Sequence, residues 1–253
     1  MKYSFSIVVL ATALLVGCIT TNSEGGKPLK HDDPKEAAAK YNIQLGTAYL
    51  QQGNYPLARE KLERSLKQNP KDADVHTSLG LLYDRVGDPK LADKHFREAL
   101  RLEPDKPDIS NNYAIYLCKN GRTVEGVERF MAVASSKYYR TPEVALTNAG
   151  VCLRAAKRLD EAQEKFNGAI KARPNYSEAT VQLASLYLER EKLAEARKVV
   201  DTYVGAFKPD PDVLLIGVSV ARAAKDRMSE EKYSRTLRLE FPDSAQARAL
   251  KRP

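Results

Sequence analysis

Leu45-Gly46-Thr47-Ala48-Tyr49 and Leu79-Gly80-Leu81-Leu82-Tyr83 stand 34 residues apart, and the residues downstream of each keep the same step. Behind the first come Ala58 and Pro70; behind the second come Ala92, Phe96, Ala99 and Pro104. Small residues at fixed places let two helices approach closely, and aromatic residues fill the space between them. Proline closes the second helix because it cannot extend the hydrogen-bond ladder. A period of this length marks a helix-turn-helix unit that buries its apolar face only by stacking on its neighbours.

The frame continues at Ala114 with Leu117, Gly121, Gly126 and Phe130, and at Gly150 with Leu153, Ala162, Phe166, Ala169 and Pro174. A fifth unit has Ala184, Tyr187, Ala196, Val200 and Tyr203. The step from 114 to 150 is 36, which places two extra residues near Ser135 to Thr141. A sixth, degenerate unit runs from Val213 to Pro242; Gly217, Ala221 and Leu237 hold the frame, but Glu230 falls where a small residue is wanted. These spacings resemble the tetratricopeptide repeat (TPR) over residues 37–245, in units of about 39–72, 73–106, 107–142, 143–176, 177–210 and 211–245. The resemblance implies an all-α, right-handed TPR solenoid of about six helix-turn-helix repeats whose first helices line a concave face. Period-2 alternation is absent, so no strand is expected. Residues 246–253 are read as a C-terminal tail.

Ahead of the array, Lys2, the apolar run Ile7 to Val16 and small Gly17 have the layout of a cleavable export signal, residues 1–17. The run is shorter than the roughly 20 residues a permanent membrane helix needs. Leu15-Val16-Gly17-Cys18 resembles the bacterial lipobox, which implies a covalent lipid on Cys18; the other reading is an ordinary signal with an incidental cysteine. Ile19 rather than Asp follows the cysteine, and the resemblance to lipoproteins of Gram-negative bacteria then implies outer-membrane sorting, with the chain facing the periplasm. Residues 18–36 read as a flexible tether, whose polar stretch from Ile19 to Lys35 is able to reach roughly 55 Å when extended.

The net charge of +8 falls to +7 without Lys2. Basic and acidic residues are interleaved, as in Arg59-Glu60-Lys61-Leu62-Glu63-Arg64, a solvated helix face rather than a nucleic-acid footprint. No nucleic-acid partner is expected. His31, His76 and His95 are the only histidines, none in a metal-ligand spacing, and no nucleophile elbow or phosphate loop is present. The expectation is a protein without enzymatic activity, metal, cofactor or small-molecule substrate. Packing or surface roles fit His76 and His95 better than ligation.

Cys118 and Cys152 fall on the first helices of neighbouring repeats. In an oxidising compartment they can bridge if their Cα atoms come within about 7 Å; otherwise they are two buried thiols acting as small apolar residues. The sixth position of each first helix reads Gln44, Ser78, Asn112, Asn148 and Gln182, with Ile43, Thr77, Asn111, Thr147 and Val181 beside it. Such a ladder can hydrogen-bond an extended peptide, or it can serve only local contacts.

Asn111-Asn112-Tyr113-Ala114, Leu117-Cys118, Gly121-Arg122, Asn148-Ala149-Gly150-Val151-Cys152, and Leu214-Leu215-Ile216-Gly217 with Ala221 and Asp226-Arg227 are similar to the PilF/PilW family of type IV pilus biogenesis lipoproteins. That resemblance implies a pilotin, an outer-membrane protein that binds the pilus secretin and promotes its localisation and multimerisation, and so supports twitching motility. Paired cysteines at these two places recur in relatives, which favours the bridge. Gly126 departs from the usual alanine, and a glycine there weakens its helix by up to about 1 kcal/mol. Adaptors for periplasmic peptidoglycan hydrolases and scaffolds for outer-membrane β-barrel assembly are the alternative functions.

Overall fold

The computed structural model describes residues 33–250. The expected signal, Cys18, His31 and the tether up to residue 32 lie outside the described residues, as do residues 251–253. The described residues form helices in antiparallel pairs and no strand. The pairs are α1 (Pro34–Gln51) with α2 (Tyr55–Gln68), α3 (Ala73–Arg85) with α4 (Pro89–Leu102), and α5 (Pro107–Lys119) with α6 (Thr123–Ser135). They continue with α7 (Pro142–Ala155) and α8 (Leu159–Ala172), α9 (Ser177–Glu189) and α10 (Leu193–Ala206), and α11 (Pro211–Ala223) and α12 (Arg227–Glu240). A short α13 (Ala245–Ala249) packs against α11 and α12 with Ala247 buried, so part of the expected tail belongs to the core. Helix α1 also begins three residues before the expected start at 37, with Pro34 in its first turn, where its missing N–H is not needed.

Local chemistry sets the boundaries. Asp72, Asp88 and Asp226 cap α3, α4 and α12 through Asp74 N–H at 2.8 Å, Leu91 N–H at 3.0 Å and Ser229 N–H at 3.1 Å. Within each pair the turn closes by the same bond, an N–H reaching back five residues: Asn54 to Tyr49, Asp88 to Tyr83, Arg122 to Leu117, Arg158 to Leu153, Lys192 to Tyr187 and Asp226 to Ala221, all at 2.8–2.9 Å. That bond needs a left-handed residue just before it. Gly53, Gly87 and Gly121 supply it in the first three pairs, and Lys157, Glu191 and Lys225 in the last three at φ of 62°, 57° and 56°.

Packing inside a pair turns on one contact. Gly80 and Gly150 face the rings of Phe96 and Phe166 so closely that an added Cβ would fall at or inside 3.0 Å of them. Those rings, with Phe130 and Leu62 at matching places, are fully buried. In the last pair the helix boundaries keep the 34-residue step, but the facing residues slip back by one. Gly217 meets Tyr233, Ser229 is the buried small residue, and Glu230 stays near the surface, paired with Arg222 at 2.7 Å. Glu230 therefore does not occupy the small-residue place that the 34-residue frame assigns it.

Each first helix packs closely against the first helix of the next repeat, while the backbones of successive second helices stay farther apart. The second helices thus fan apart, and the array curves with α1, α3, α5, α7, α9 and α11 on its inner face. Polar ties cross the repeats: Asp93 on α4 accepts from Tyr113 at 2.7 Å and Arg122 at 2.5 Å, and Asp201 accepts from Tyr233. Burial alone would raise the Asp93 carboxyl, but those two donors and Arg97 hold it below its usual range.

Two helical glycines separate packing from propensity. Gly150→Ala is expected to lower stability by about 1–3 kcal/mol, because Phe166 must move out of a filled core. Gly168→Ala, whose Cβ would meet Leu146 at an ordinary 3.7 Å, is expected to raise it by up to about 1 kcal/mol. Urea denaturation midpoints of the two variants should move in opposite directions.

Candidate binding face and the cysteine pair

The inner face carries the sequence ladder, and its members differ in what they leave free. Thr77 and Thr147 are buried and donate to the carbonyls one turn back in their own helices, Ala73 and Glu143, both at 2.8 Å. Ser78 is buried beside Thr47 at 3.3 Å. Asn148 donates to Asn111 at 3.4 Å, and Gln182 accepts from Arg154 at 3.3 Å while donating to Glu178 at 2.8 Å. Much of the ladder therefore ties one repeat to the next. Gln44 and Asn112 have no side-chain hydrogen bond among the described residues, and Gln44 is exposed. Ile43 and Val181 are half-buried.

Three residues after the ladder, on the same side of each helix, stand Leu81, Ile115 and Val151. Ile115 and Val151 are 46% and 41% exposed, high for large apolar side chains in a packed array. The ladder does not include this stripe, although a three-residue offset from Ser78, Asn112 and Asn148 locates it in the sequence. At the far end of the same helices, ion pairs join repeats: Lys119 to Asp84 at 2.9 Å and Arg154 to Glu189 at 2.8 Å. The face thus presents an apolar centre, free amides beside it and paired charges at one rim. Such a surface suits a polypeptide with apolar side chains and an unpaired backbone.

Cys118 of α5 and Cys152 of α7 are joined as a disulfide, with Cα atoms 5.5 Å apart. It links the first helices of the third and fourth repeats, next to the exposed stripe. Beneath it lies Gly126, whose added Cβ would collide with Cys118 Sγ and come to 3.0 Å from Ala114 O. Here the arrangement of the other early repeats is reversed. Gly46, Gly80 and Gly150 sit on first helices with Ala58, Ala92 and Ala162 on the second; in this repeat Ala114 is on the first and Gly126 on the second. The glycine that departs from the repeat pattern makes room for the sulfur.

His76 and His95, set aside as ligands, meet each other in the second repeat. Pro70 O can only accept, so His76 Nε2, 3.1 Å away, carries the hydrogen. His76 Nδ1 then offers its lone pair to His95 Nδ1–H at 3.0 Å. Tyr83 stacks on His95 with centroids 5.4 Å apart. Burial, reinforced by His76 and Lys94 against a smaller opposing pull from Glu98, pushes the His95 imidazole down to about 4. Among the described residues no three His, Cys, Asp or Glu side chains converge to hold a metal ion, and no helix is long and apolar enough to cross a membrane.

Models of the tetratricopeptide repeat match residues 73–106 and 153–216, and a TPR repeat model matches 46–87. The type IV pilus assembly protein PilF of Pseudomonas aeruginosa is 28% identical over 239 residues, covering 94% of each chain. The chain is built of tetratricopeptide repeats and is similar to PilF along nearly its whole length. Solved structures agree. That of Pseudomonas aeruginosa PilF is 26% identical with a TM-score of 0.64, over 87% of this chain and 99% of that one. That of PilW, described as a widely conserved type IV pilus biogenesis factor, is 25% identical with a TM-score of 0.62, over 84% and 97%. An uncharacterized protein of Haemophilus influenzae is 27% identical over 56% of this chain and 77% of its own. The likeness to PilF extends over nearly the whole array.

Gly126→Ala is expected to destabilise the oxidised protein by about 1–3 kcal/mol, and by clearly less in a Cys118→Ala, Cys152→Ala background, where the sulfur no longer competes for the space. Additive denaturation midpoints across that cycle would show that the sulfur and the glycine are not coupled. As for pH, the unfolded chain holds a proton on His95 between about pH 6.5 and 4 that the folded chain does not. Stability should therefore fall as pH drops through that window, by up to about 3 kcal/mol. A His76→Phe, His95→Phe variant should show a flatter profile in the same urea titrations.

Proposed function

We propose that this chain is a non-catalytic lipoprotein of type IV pilus biogenesis, anchored in the outer membrane through a lipid on Cys18 and facing the periplasm. Its partner is the type IV pilus secretin, and its role is to bring secretin subunits to the outer membrane and hold them while they assemble into a ring. The similarity to PilF across 94% of both chains carries this reading, since it covers the whole array rather than one generic repeat. The inner face supports it: Leu81, Ile115 and Val151 supply apolar contact, and Gln44 and Asn112 supply hydrogen bonds. The lipid restricts the search for subunits to one surface, so the face can bind each subunit modestly and still act.

Deleting the gene and running unboiled membrane fractions on a gel tests the reading. The heat-resistant secretin ring should disappear or collect in the inner membrane, and Cys18→Ala should fail to restore its place. A secretin that assembles normally without this chain would overturn it. Ile115→Asp with Val151→Asp, both at exposed positions, should leave folding intact and weaken secretin binding by about tenfold or more, read by titration with the purified partner.

A further inference from the structure

The chain enters the array and passes between repeats on one edge. Helix α1 begins there, and so does every loop that leads from a second helix to the next first helix; the left-handed turns lie on the opposite edge. The loops 69–72, 103–106, 173–176 and 207–210 have four residues each. The loop 136–141 has six, Ser136-Lys137-Tyr138-Tyr139-Arg140-Thr141, and none is acidic. Tyr139 is half-buried and its N–H donates to Ser136 O at 3.1 Å, while Tyr138 stands 73% exposed with Lys137 Nζ 5.2 Å from its ring centre.

The cations of this loop also differ from those beside it. Lys106, in the loop before, is held by Asp74 at 2.7 Å and Glu103 at 3.3 Å, and Arg173, in the loop after, by Glu143 at 3.0 Å. Lys137 and Arg140 have no carboxylate partner among the described residues. Next to them opens a hollow lined by Asp105, Lys106, Ser110, Val133, Lys137 and Tyr138, in which the one carboxylate stands beside Lys106 and Lys137.

We propose that the loop 136–141 is a second membrane contact, in which Tyr138 enters the headgroup layer of an anionic bilayer while Lys137 and Arg140 meet its phosphates. Tyrosine has an apolar body with a polar tip, and lysine and arginine bury their stems while their charges stay in the polar layer, so the three suit that depth together. An anionic surface attracts the two unpaired cations. One ring and two cations hold a free protein only weakly, but a chain already tethered meets the surface at high effective concentration. The contact therefore sets orientation: the loop edge faces lipid, and the inner face stays open to the periplasm. It rests on the lipid anchoring of Cys18 proposed above.

The chain contains no tryptophan, so Tyr138→Trp gives a single reporter. The chain starting at Cys18 is coupled through that thiol to a maleimide lipid in vesicles of phosphatidylethanolamine with a minor share of phosphatidylglycerol. Cys118 and Cys152 are bonded to each other and do not compete for the maleimide. Lipids brominated in the acyl chain near the headgroup should quench the Tyr138→Trp variant at least about twofold more than a Met228→Trp variant, whose site is 85% exposed on the opposite edge. Lys137→Glu with Arg140→Glu should abolish the difference. Equal quenching at both sites, none at either, or quenching that survives the charge reversal would overturn the proposal, including the case in which this loop meets an acidic protein instead. Because the coupling supplies the anchor, absence of acyl groups on Cys18 in cells, read by mass spectrometry, would defeat the anchoring reading separately.

Discussion

The distance between the two helices of a repeat is set by a small residue of the first helix pressed against a ring or branched side chain of the second. At Gly80 and Gly150 the space left is less than one methyl group, so the helices lie as close as backbones with side chains between them allow. The shape of the array follows. Close pairs place each first helix against the next first helix, while the backbones of successive second helices stay apart. The inner face is lined by the six first helices, which these close contacts hold against their partners.

The third repeat obeys the same constraint in reverse. With Ala114 on the first helix and Gly126 on the second, the total volume at the contact is unchanged, but the gap has moved to the side where Cys118 Sγ sits. A disulfide closing a loop of 34 residues removes roughly 4 kcal/mol of chain entropy from the unfolded state in the loop-closure model. In a solenoid, where each repeat leans only on its neighbours, that gain is local and falls on the interface between the third and fourth repeats.

The period, the helix pairing and the cysteine placement were legible because each is a matter of spacing, and spacing is a property of the chain. Side-chain satisfaction was not. The ladder position identified residues that can hydrogen-bond, but Thr77 and Thr147 bond the carbonyls of their own helices, as threonines in helices often do, and Asn111 and Asn148 bond each other. The apolar stripe was hidden for a related reason, since Leu, Ile and Val on a first helix read as core, and only the packing of the helices shows that Ile115 and Val151 stay exposed on the inner face. The last repeat misled through its unbroken helix period, because a slip of one residue in the facing contact leaves the helix boundaries where they were. The turns at Lys157, Glu191 and Lys225 gave no glycine signal; there the chain accepts about 1 kcal/mol or more of left-handed strain to make the same closing bond.

The inner face is largely pre-organised, and this limits how a partner can use it. Asn111, Asn148 and Gln182 are already bonded across repeats, so a ligand that competed for them would loosen the array as it bound. The favourable additions are contact with Ile115 and Val151 and hydrogen bonds to Gln44 and Asn112, which displace only water. Such contacts reward a partner that follows the existing curvature. The disulfide fixes that curvature at the centre, where α5 and α7 meet, leaving any adjustment to the repeats on either side.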